Sequence, residues 1–175
     1  MQLTRRNILI SGGALICAGS MSGLSLLGQQ HAKSIGISVP ETGEREIVTF
    51  WENGAYIPEG MNAINHLFRD FKTNEVGSIN LNLLDVLYAV MASYDGRKNL
   101  EIVRGHMSDP KDAPYKAGSP NAFHHAGTGV DVRVQGVTLE HLATDFIRWV
   151  DGGVGMYPKQ KFVHLDTGPT RRWVS

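Results

Sequence analysis

The sequence predicts an α+β fold in which a small antiparallel sheet carries helices mainly on one face. Short runs with the period-two alternation of strands are interleaved with three longer runs whose apolar residues recur at helical spacing. Connections late in the chain are of hairpin length, which favours antiparallel neighbours. We therefore expect the helices to cover one face of the sheet.

Composition is that of one ordinary globular domain. The chain has 175 residues, of which 42% are hydrophobic and 19% are charged, so it can bury a full core. Its 17 basic and 17 acidic residues cancel, which argues against nucleic acid as a partner. The only cysteine, Cys17, lies near the N-terminus, so the remaining domain is not expected to use thiol catalysis or disulfides.

Residues 1–32 are predicted to be a twin-arginine-type export signal. Arg5 and Arg6 precede a mild apolar run over residues 8–27, which is rich in glycine and serine. An uncleaved membrane anchor is the alternative, because no clear cleavage motif is visible. We expect residues 33–175 to form the domain, exported by the twin-arginine machinery to the periplasm or cell envelope of a bacterium as a monomer.

The first half of the domain is predicted to contain a linker, a strand and two helices. Residues 33–43 are expected to be the linker, and EIVTFW at Glu46–Trp51 alternates like a strand. Apolar residues at helical spacing predict a helix over Pro58–Thr73. A second helix is expected from about Leu83 to Tyr94, with Asn82 as its N-cap.

The second half is predicted to contain three strands, a polar loop and a third helix. The loop is long enough to form the rim of an active site. In chain order we expect strand Leu100–Arg104, the polar loop Asp109–Pro120, strand Gly129–Val134, a helix capped by Thr138 and running to about Val150, and strand Phe162–Asp166.

Two of these strands carry polar side chains on the face opposite their apolar residues. In the strand Gly129–Val134, three valines share one face and Asp131 lies on the other. In the strand Phe162–Asp166, His164 and Asp166 share the polar face. Both strands therefore offer metal-binding or catalytic groups to a cleft.

Two further histidines, His124 and His125, precede Asp131 by a few residues. The glycines between them allow the backbone to turn and bring a histidine beside the carboxylate. Two histidines and a carboxylate suit a zinc ion that keeps one position open for water. Each residue alone is more simply explained as structural, and their combination favours a metal site.

The stretch NAFHHAGTGVDVRV, Asn121–Val134, resembles the H-x-x-G-x-x-x-D motif of a family of zinc peptidases. The family contains D-Ala-D-Ala carboxypeptidases and murein endopeptidases, and its superfamily includes hedgehog signalling domains. GGVGMYPKQKFVHLDTGPTRRW, Gly152–Trp173, is similar to the end of the exported murein endopeptidases of bacteria. With Asn65–Asp70, the resemblance covers most of the chain after about Glu41.

The resemblance implies an activity and a ligand set. The motif's spacing of seven residues to Asp131 selects His124 over His125, and His164 is the third ligand of a zinc ion on the open side of the sheet. The implied activity is zinc-dependent hydrolysis of peptide cross-links in peptidoglycan, as a murein endopeptidase or a D,D-carboxypeptidase-like enzyme. The alternative is a zinc-containing module that binds cell-wall peptides without hydrolysing them.

Three departures from the family pattern keep that alternative open. Ala122 and Gly129 stand where serine and alanine are usual. Met107 stands where the branch often carries an arginine that could hold substrate. Arg104 and Arg133 are the candidates to replace that arginine.

The general base is expected to be Asp166. Many relatives place a glutamate three residues before the final histidine, where this chain has Lys161, a poor base beside a divalent cation. Asp166 shares a strand face with His164 and is therefore the first candidate. It could instead orient His164 or bond the turn that follows, and His106 is a further candidate for the base.

Overall fold

A computed structural model describes residues 32–94, 98–108 and 118–175. These residues form eight strands in one sheet and four α-helices, which confirms the α+β class. The strands are β1 (Ala32–Val39), β2 (Glu44–Glu52), β3 (Ala55–Tyr56), β4 (Leu100–Arg104), β5 (Gly129–Val134), β6 (Gly153–Tyr157), β7 (Phe162–Asp166) and β8 (Arg171–Val174). The helices are α1 (Pro58–Leu67), α2 (Leu81–Ala92), α3 (Pro120–His125) and α4 (Leu139–Trp149).

The sheet is larger than expected, and it is mixed rather than purely antiparallel. Its strand order is β3-β2-β1-β4-β5-β7-β6-β8. The pairs β1–β4 and β6–β8 are parallel, and the other pairs are antiparallel. The β1–β4 pair is parallel because the chain crosses over through α1 and α2 between the two strands. Such non-local pairings leave no local signal in the sequence.

The hydrophobic core lies on the valine face of the central strands. Val130, Val132 and Val163 are fully buried there, together with apolar residues of the three longer helices. Helix α3 places His124 against Asp131 and His164, whose side chains alternate with the core residues along their strands. The candidate site therefore occupies the sheet face opposite this part of the core.

The predicted linker at residues 33–43 is wrong, because most of it belongs to β1. Ile35, Ile37 and Val39 are 2%, 0% and 0% exposed and alternate with more exposed residues. The strand pairs along its whole length with β2 and at two positions with β4. The alternation was present in the sequence, but the glycine and serines within it obscured the strand.

The helix boundaries differ from the predictions at two places. Helix α1 ends at Leu67 rather than Thr73, and the chain then turns around Asp70, whose carboxylate accepts hydrogen bonds from the Lys72 and Thr73 amides. Helix α2 begins two residues early because the Asn80 side chain, not Asn82, accepts from the first-turn amides.

The structure confirms the bounds of three predicted strands and one helix cap, and it does not describe the predicted export signal or most of the polar loop. Strands β4, β5 and β7 have the predicted bounds, and Thr138 caps α4 as expected. Strands β3, β6 and β8 and helix α3 were not predicted. The export signal lies outside the described residues except for Ala32, and so does the loop Asp109–Pro120 except for its last three residues. None of the helices in the described ranges is both long and apolar enough to cross a bilayer.

Candidate metal centre

Asp131 and His164 face each other directly across the β5–β7 ladder. The register pairs Asp131 with His164. Side chains of directly paired residues in antiparallel strands project from the same face of the sheet. His164 Nδ1 lies 2.7 Å from Asp131 Oδ1. The sheet backbone therefore sets the separation of these two groups.

His124 reaches the same carboxylate from the end of α3. The chain reverses at Gly127, which has φ +68°, and a Cβ there would lie 2.1 Å from the Ser78 carbonyl oxygen. This reversal brings Asp131 back beside α3, where His124 Nε2 lies 3.2 Å from Asp131 Oδ1. Gly127 thus allows the tight approach that the sequence suggested.

These three residues form a cluster that could hold a metal ion, whereas His125 does not join it. One nitrogen or oxygen from each of His124, Asp131 and His164 lies within 4.8 Å of the others, and all three residues are buried. His125 has an exposed side chain, and its Nδ1 lies 2.9 Å from the Met107 carbonyl oxygen. The geometry thus separates the two adjacent histidines.

Hydrogen bonds outside the cluster determine which nitrogen each histidine presents. His124 Nδ1 lies 2.7 Å from the Gly105 carbonyl oxygen, which can only accept, so Nδ1 carries the proton. His164 Nε2 lies 3.0 Å from Asp166 Oδ2 and donates to that carboxylate. The nitrogens facing Asp131 are therefore the basic ones, as in histidines that bind metals.

The cluster fits a divalent cation on electrostatic grounds. Two basic nitrogens and a carboxylate oxygen converge in a buried space, where electron pairs repel unless a proton or a cation lies between them. Burial would raise the pKa of Asp131, but when the histidine nitrogens that face it carry protons, their hydrogen bonds to the carboxylate outweigh burial and lower that pKa. Burial would lower the pKa of His164, but its bonds with Asp131 and Asp166 raise it. Imidazole nitrogen and carboxylate oxygen are donors that zinc accepts.

Asp166 is fully buried and uses both carboxylate oxygens. Its Oδ2 accepts from His164 and from Arg171 Nη2, and its Oδ1 accepts from the amides of Gly153 at 3.2 Å and Gly168 at 2.8 Å. Burial would raise its pKa, but these partners outweigh burial and lower it. The contacts favour the orienting role over proton transfer, and the role of general base stays a prediction.

Two other residues, Lys161 and His106, were considered for the role of general base. Lys161 is exposed and lies in a turn, with φ +60°. His106 is half-buried, and its Nδ1 lies 3.3 Å from the His124 carbonyl oxygen. His106 therefore lies beside the cluster without forming part of it.

Trp173 was missed as a site residue by sequence reasoning. Its indole lies 5.6 Å from the His164 ring, centroid to centroid, and its Nε1 donates to the Tyr157 hydroxyl at 3.1 Å. Strand pairing aligns Trp173 with Gly155, which in turn is aligned with His164. The indole covers Gly155, so Trp173 forms an aromatic wall beside the cluster. The unpredicted strand β8 is the reason why no sequence signal pointed to it.

A cavity of about 330 Å³ is lined by residues that contact the cluster. The last residues of β4 and the segment after it form one wall, and Glu41 and Asn121 belong to the lining. Arg104 connects the cavity to the cluster, because its Nη1 lies 3.6 Å from Asp131 Oδ2. The three cluster residues do not line this space themselves, but Arg104 and Gly105, which contact them, do, and the space is large enough for part of a peptide.

Fold and site together define an α+β protein with a buried His–Asp–His group suited to one metal ion beside a cleft. A family model described as "Peptidoglycan L,D-endopeptidase MepK" matches residues 29–173. The chain belongs to this family, which confirms the resemblance to murein endopeptidases.

Relatives in the same family match nearly the whole chain. The peptidoglycan L,D-endopeptidase MepK of Escherichia coli K12 is 30% identical over 175 residues, covering 97% of this chain and 96% of the relative. The probable peptidoglycan L,D-endopeptidase MepK of Haemophilus influenzae is 31% identical over 137 residues, covering 75% of this chain and 74% of the relative. No solved structure matches the chain.

Proposed function

We propose that this protein is a zinc-dependent peptidase that hydrolyses peptide cross-links in peptidoglycan, at a bond between an L- and a D-configured residue. Its relatives are named peptidoglycan L,D-endopeptidases. The observation that carries the zinc part of the proposal is the convergence of His124, Asp131 and His164 within 4.8 Å in a buried site.

His124, Asp131 and His164 would hold the metal ion. A zinc ion with three protein ligands and an open position supplies a Lewis acid that activates water and polarises a peptide carbonyl. The protein's contribution is to keep the ligands in place: the Gly105 carbonyl fixes the His124 ring, and Asp166 fixes the His164 ring. Burial of all three ligands keeps competing water away from them.

We assign a positioning role to Asp166 within this function. Its four polar contacts leave its carboxylate engaged on both oxygens, whereas His106 lines the cavity in which a peptide would lie. His106 is therefore the alternative candidate for moving a proton to or from substrate. If Asp166 only positions His164, Asp166→Asn should keep turnover at saturating zinc. If Asp166 is the general base, the same variant should lose turnover.

The decisive experiment is digestion of purified cross-linked muropeptides by the domain of residues 33–175, followed by mass spectrometry of the products. We expect cleavage in the presence of zinc, loss of cleavage with a chelator, and recovery when zinc is restored. Tight binding of muropeptide with full zinc loading and no product would instead support the non-hydrolytic binding module, for which Met107 is the specific argument.

We also propose that the protein acts outside the cytoplasm as a monomer. The twin arginines at positions 5 and 6 support export by the twin-arginine route, and peptidoglycan as substrate requires a place in the periplasm or cell envelope. Whether the signal is removed or kept as an anchor is decided by the N-terminal sequence of the exported protein.

A further inference from the structure

Arg104 lies at an irregular position at the end of β4, directly opposite a proposed metal ligand. The register between β4 and β5 shifts between Ile102 and Arg104, so that Arg104 pairs with Asp131. A bulge of this kind re-aims the side chain that follows it. The Arg104 side chain is 48% exposed and approaches Asp131 Oδ2 at 3.6 Å.

Arg104 differs from the other arginines near the site in having its donors uncommitted. Arg171 donates to Asp166 and to the carbonyl oxygens of Gly118 and Pro169. Arg133, the other candidate for a substrate-binding cation, donates to Glu101 at 2.5 Å. Within the described ranges, the 3.6 Å approach to Asp131 is the single polar contact of the Arg104 side chain, and it exceeds hydrogen-bond length.

The Arg104 guanidinium is available to a ligand in the cavity that Arg104 lines. Arg104 lines it together with the uncharged Met107 and with Lys72. Two carboxylates also line it, the exposed Glu41 and Asp70, and Asp70 accepts hydrogen bonds from Ser108. A guanidinium is planar and matches a carboxylate with two parallel hydrogen bonds. The part of the cavity beside Arg104 is thus suited to an anionic group bound next to the metal ligands.

We propose that Arg104 binds a carboxylate of the substrate, on the D-configured residue whose amine forms the bond that is cleaved. This inference rests on the proposed function. Arg104 Nη1 lies 3.6 Å from the carboxylate of a proposed metal ligand, so an anionic group that Arg104 binds would lie next to the reacting centre. In a bond that joins an L-residue to a D-residue through the amine of the D-centre, the carboxylate of that centre is attached to the carbon that bears the scissile nitrogen, so it is the anionic group nearest to the bond.

The substrate class is therefore a cross-linked peptide with a free carboxylate beside the scissile bond. Such a requirement would also separate this site from a general peptidase, because an interior position of an ordinary chain has an amide there instead. Asp131 would keep its Oδ1 for the metal, and its Oδ2 would steady the guanidinium from one side.

The test uses two synthetic cross-linked peptides that differ only in a carboxylate or a carboxamide at this D-residue. Zinc-loaded wild type, Arg104→Met, Arg104→Lys and the control Arg133→Met are compared, with zinc content and thermal unfolding measured for each. We expect wild type and Arg133→Met to prefer the carboxylate by about 10- to 100-fold in kcat/KM, the range of hydrogen bonds to charged groups. Arg104→Met should lose the preference, mainly through KM, and Arg104→Lys should keep part of it.

A binding measurement gives a second readout that does not need turnover. The amine-side fragment of each peptide is titrated calorimetrically into the same zinc-loaded proteins, and wild type should bind the carboxylate form more tightly while Arg104→Met does not distinguish them. Equal weakening of both peptides and both fragments in Arg104→Met would overturn the inference. Failure of wild type to cleave either peptide, with the carboxylate preference intact in binding, would refute the proposed hydrolysis but support the role of Arg104.

Discussion

The His164 ring donates its Nε2 proton to Asp166, two residues further along the same strand, at 3.0 Å. Residues two apart on a strand are ~7 Å apart at the backbone. The side chains meet because the His164 ring lies along the strand toward the Asp166 carboxylate. The amides of Gly153 and Gly168 and the Arg171 guanidinium hold that carboxylate in place. This pairing turns the His164 Nδ1 atom toward Asp131.

The first prediction concerns Asp166→Asn. Loss of the charged acceptor should weaken zinc binding by about 10- to 100-fold, the usual effect of removing a partner of a ligand histidine. At saturating zinc, turnover should return to within a few-fold of wild type if Asp166 positions His164. The measurements are zinc affinity by chelator competition and kcat over a zinc series. Full zinc loading with turnover still absent would identify Asp166 as the base, and Asp151→Asn, at an exposed position, is the control.

The second prediction concerns the ligand set. Alanine at position 124, 131 or 164 should abolish stoichiometric zinc binding, because each substitution removes one of three converging donors. His125→Ala should keep one zinc per chain, since that side chain is exposed and directed to the Met107 carbonyl. Metal analysis of the four purified variants checks this. Zinc retained in His124→Ala and lost in His125→Ala would reverse the assignment.

The third prediction concerns the close packing of Trp173 over Gly155. A Cβ at position 155 would lie 2.1 Å from Trp173 Cε2, so Gly155→Ala must displace the indole. We expect it to lower the free energy of unfolding by about 1–3 kcal/mol, as overpacking does. In a Trp173→Ala background the same change should cost much less, and a double-mutant cycle in urea measures the coupling. If the effects of Gly155→Ala and Trp173→Ala on the free energy of unfolding were additive, the two positions would not be coupled and the expected clash would be contradicted.

The fourth prediction concerns the pH dependence of stability through Glu44. The hydrogen bond from Arg69, with others from Thr42 and His66, lowers the pKa of Glu44 from 4.5 to about 2. A lowered folded-state pKa gives stability that is present above pH 4.5 and is lost as the pH falls toward 2. Glu44→Gln should therefore be less stable than wild type at pH 7 and equal to it near pH 2.

The size of the Glu44 effect is limited by solvent. The Glu44 side chain is 32% exposed, so we expect a difference of about 1 kcal/mol at pH 7 rather than the full value of the shift. Urea unfolding at both pH values checks this, with Glu46→Gln, an exposed position of β2, as control. A Glu44→Gln deficit that persists unchanged at pH 2 would point to lost packing instead of lost charge.

The fifth prediction concerns export. Replacing Arg5 and Arg6 together with lysine should retain the protein in the cytoplasm, because the twin-arginine machinery reads that pair. Cell fractionation with immunoblotting of wild type and the double variant measures it. Unchanged delivery to the envelope would mean that another pathway carries the protein.

Local patterns in the sequence were sufficient for the parts of the site that lie within single strands. Alternation placed Asp131 opposite the valines of β5 and His164 opposite Val163 and Leu165, and the structure agrees on both faces. The turn at Gly127 was also foreseeable, since a glycine tolerates the positive φ found there. These features depend on neighbours within a few residues.

Features that depend on distant pairing could not be predicted in this way. Trp173 reaches the cluster only because β8 crosses to the outer side of β6, and Arg104 approaches Asp131 because of a register shift between β4 and β5. The competition between Asn80 and Asn82 for the cap of α2 was decided by the preceding chain, since the Asn80 amide bonds to the Gly127 carbonyl at 2.8 Å.

The direct register of Asp131 with His164 makes a bound ion a cross-link between β5 and β7. Separating these strands would require release of the ion, so metal loading should slow the local opening by which their amides exchange with solvent. Hydrogen exchange should then show zinc-dependent protection in this strand pair, while the β1–β2 hairpin at the far part of the sheet should exchange at the same rate with and without zinc.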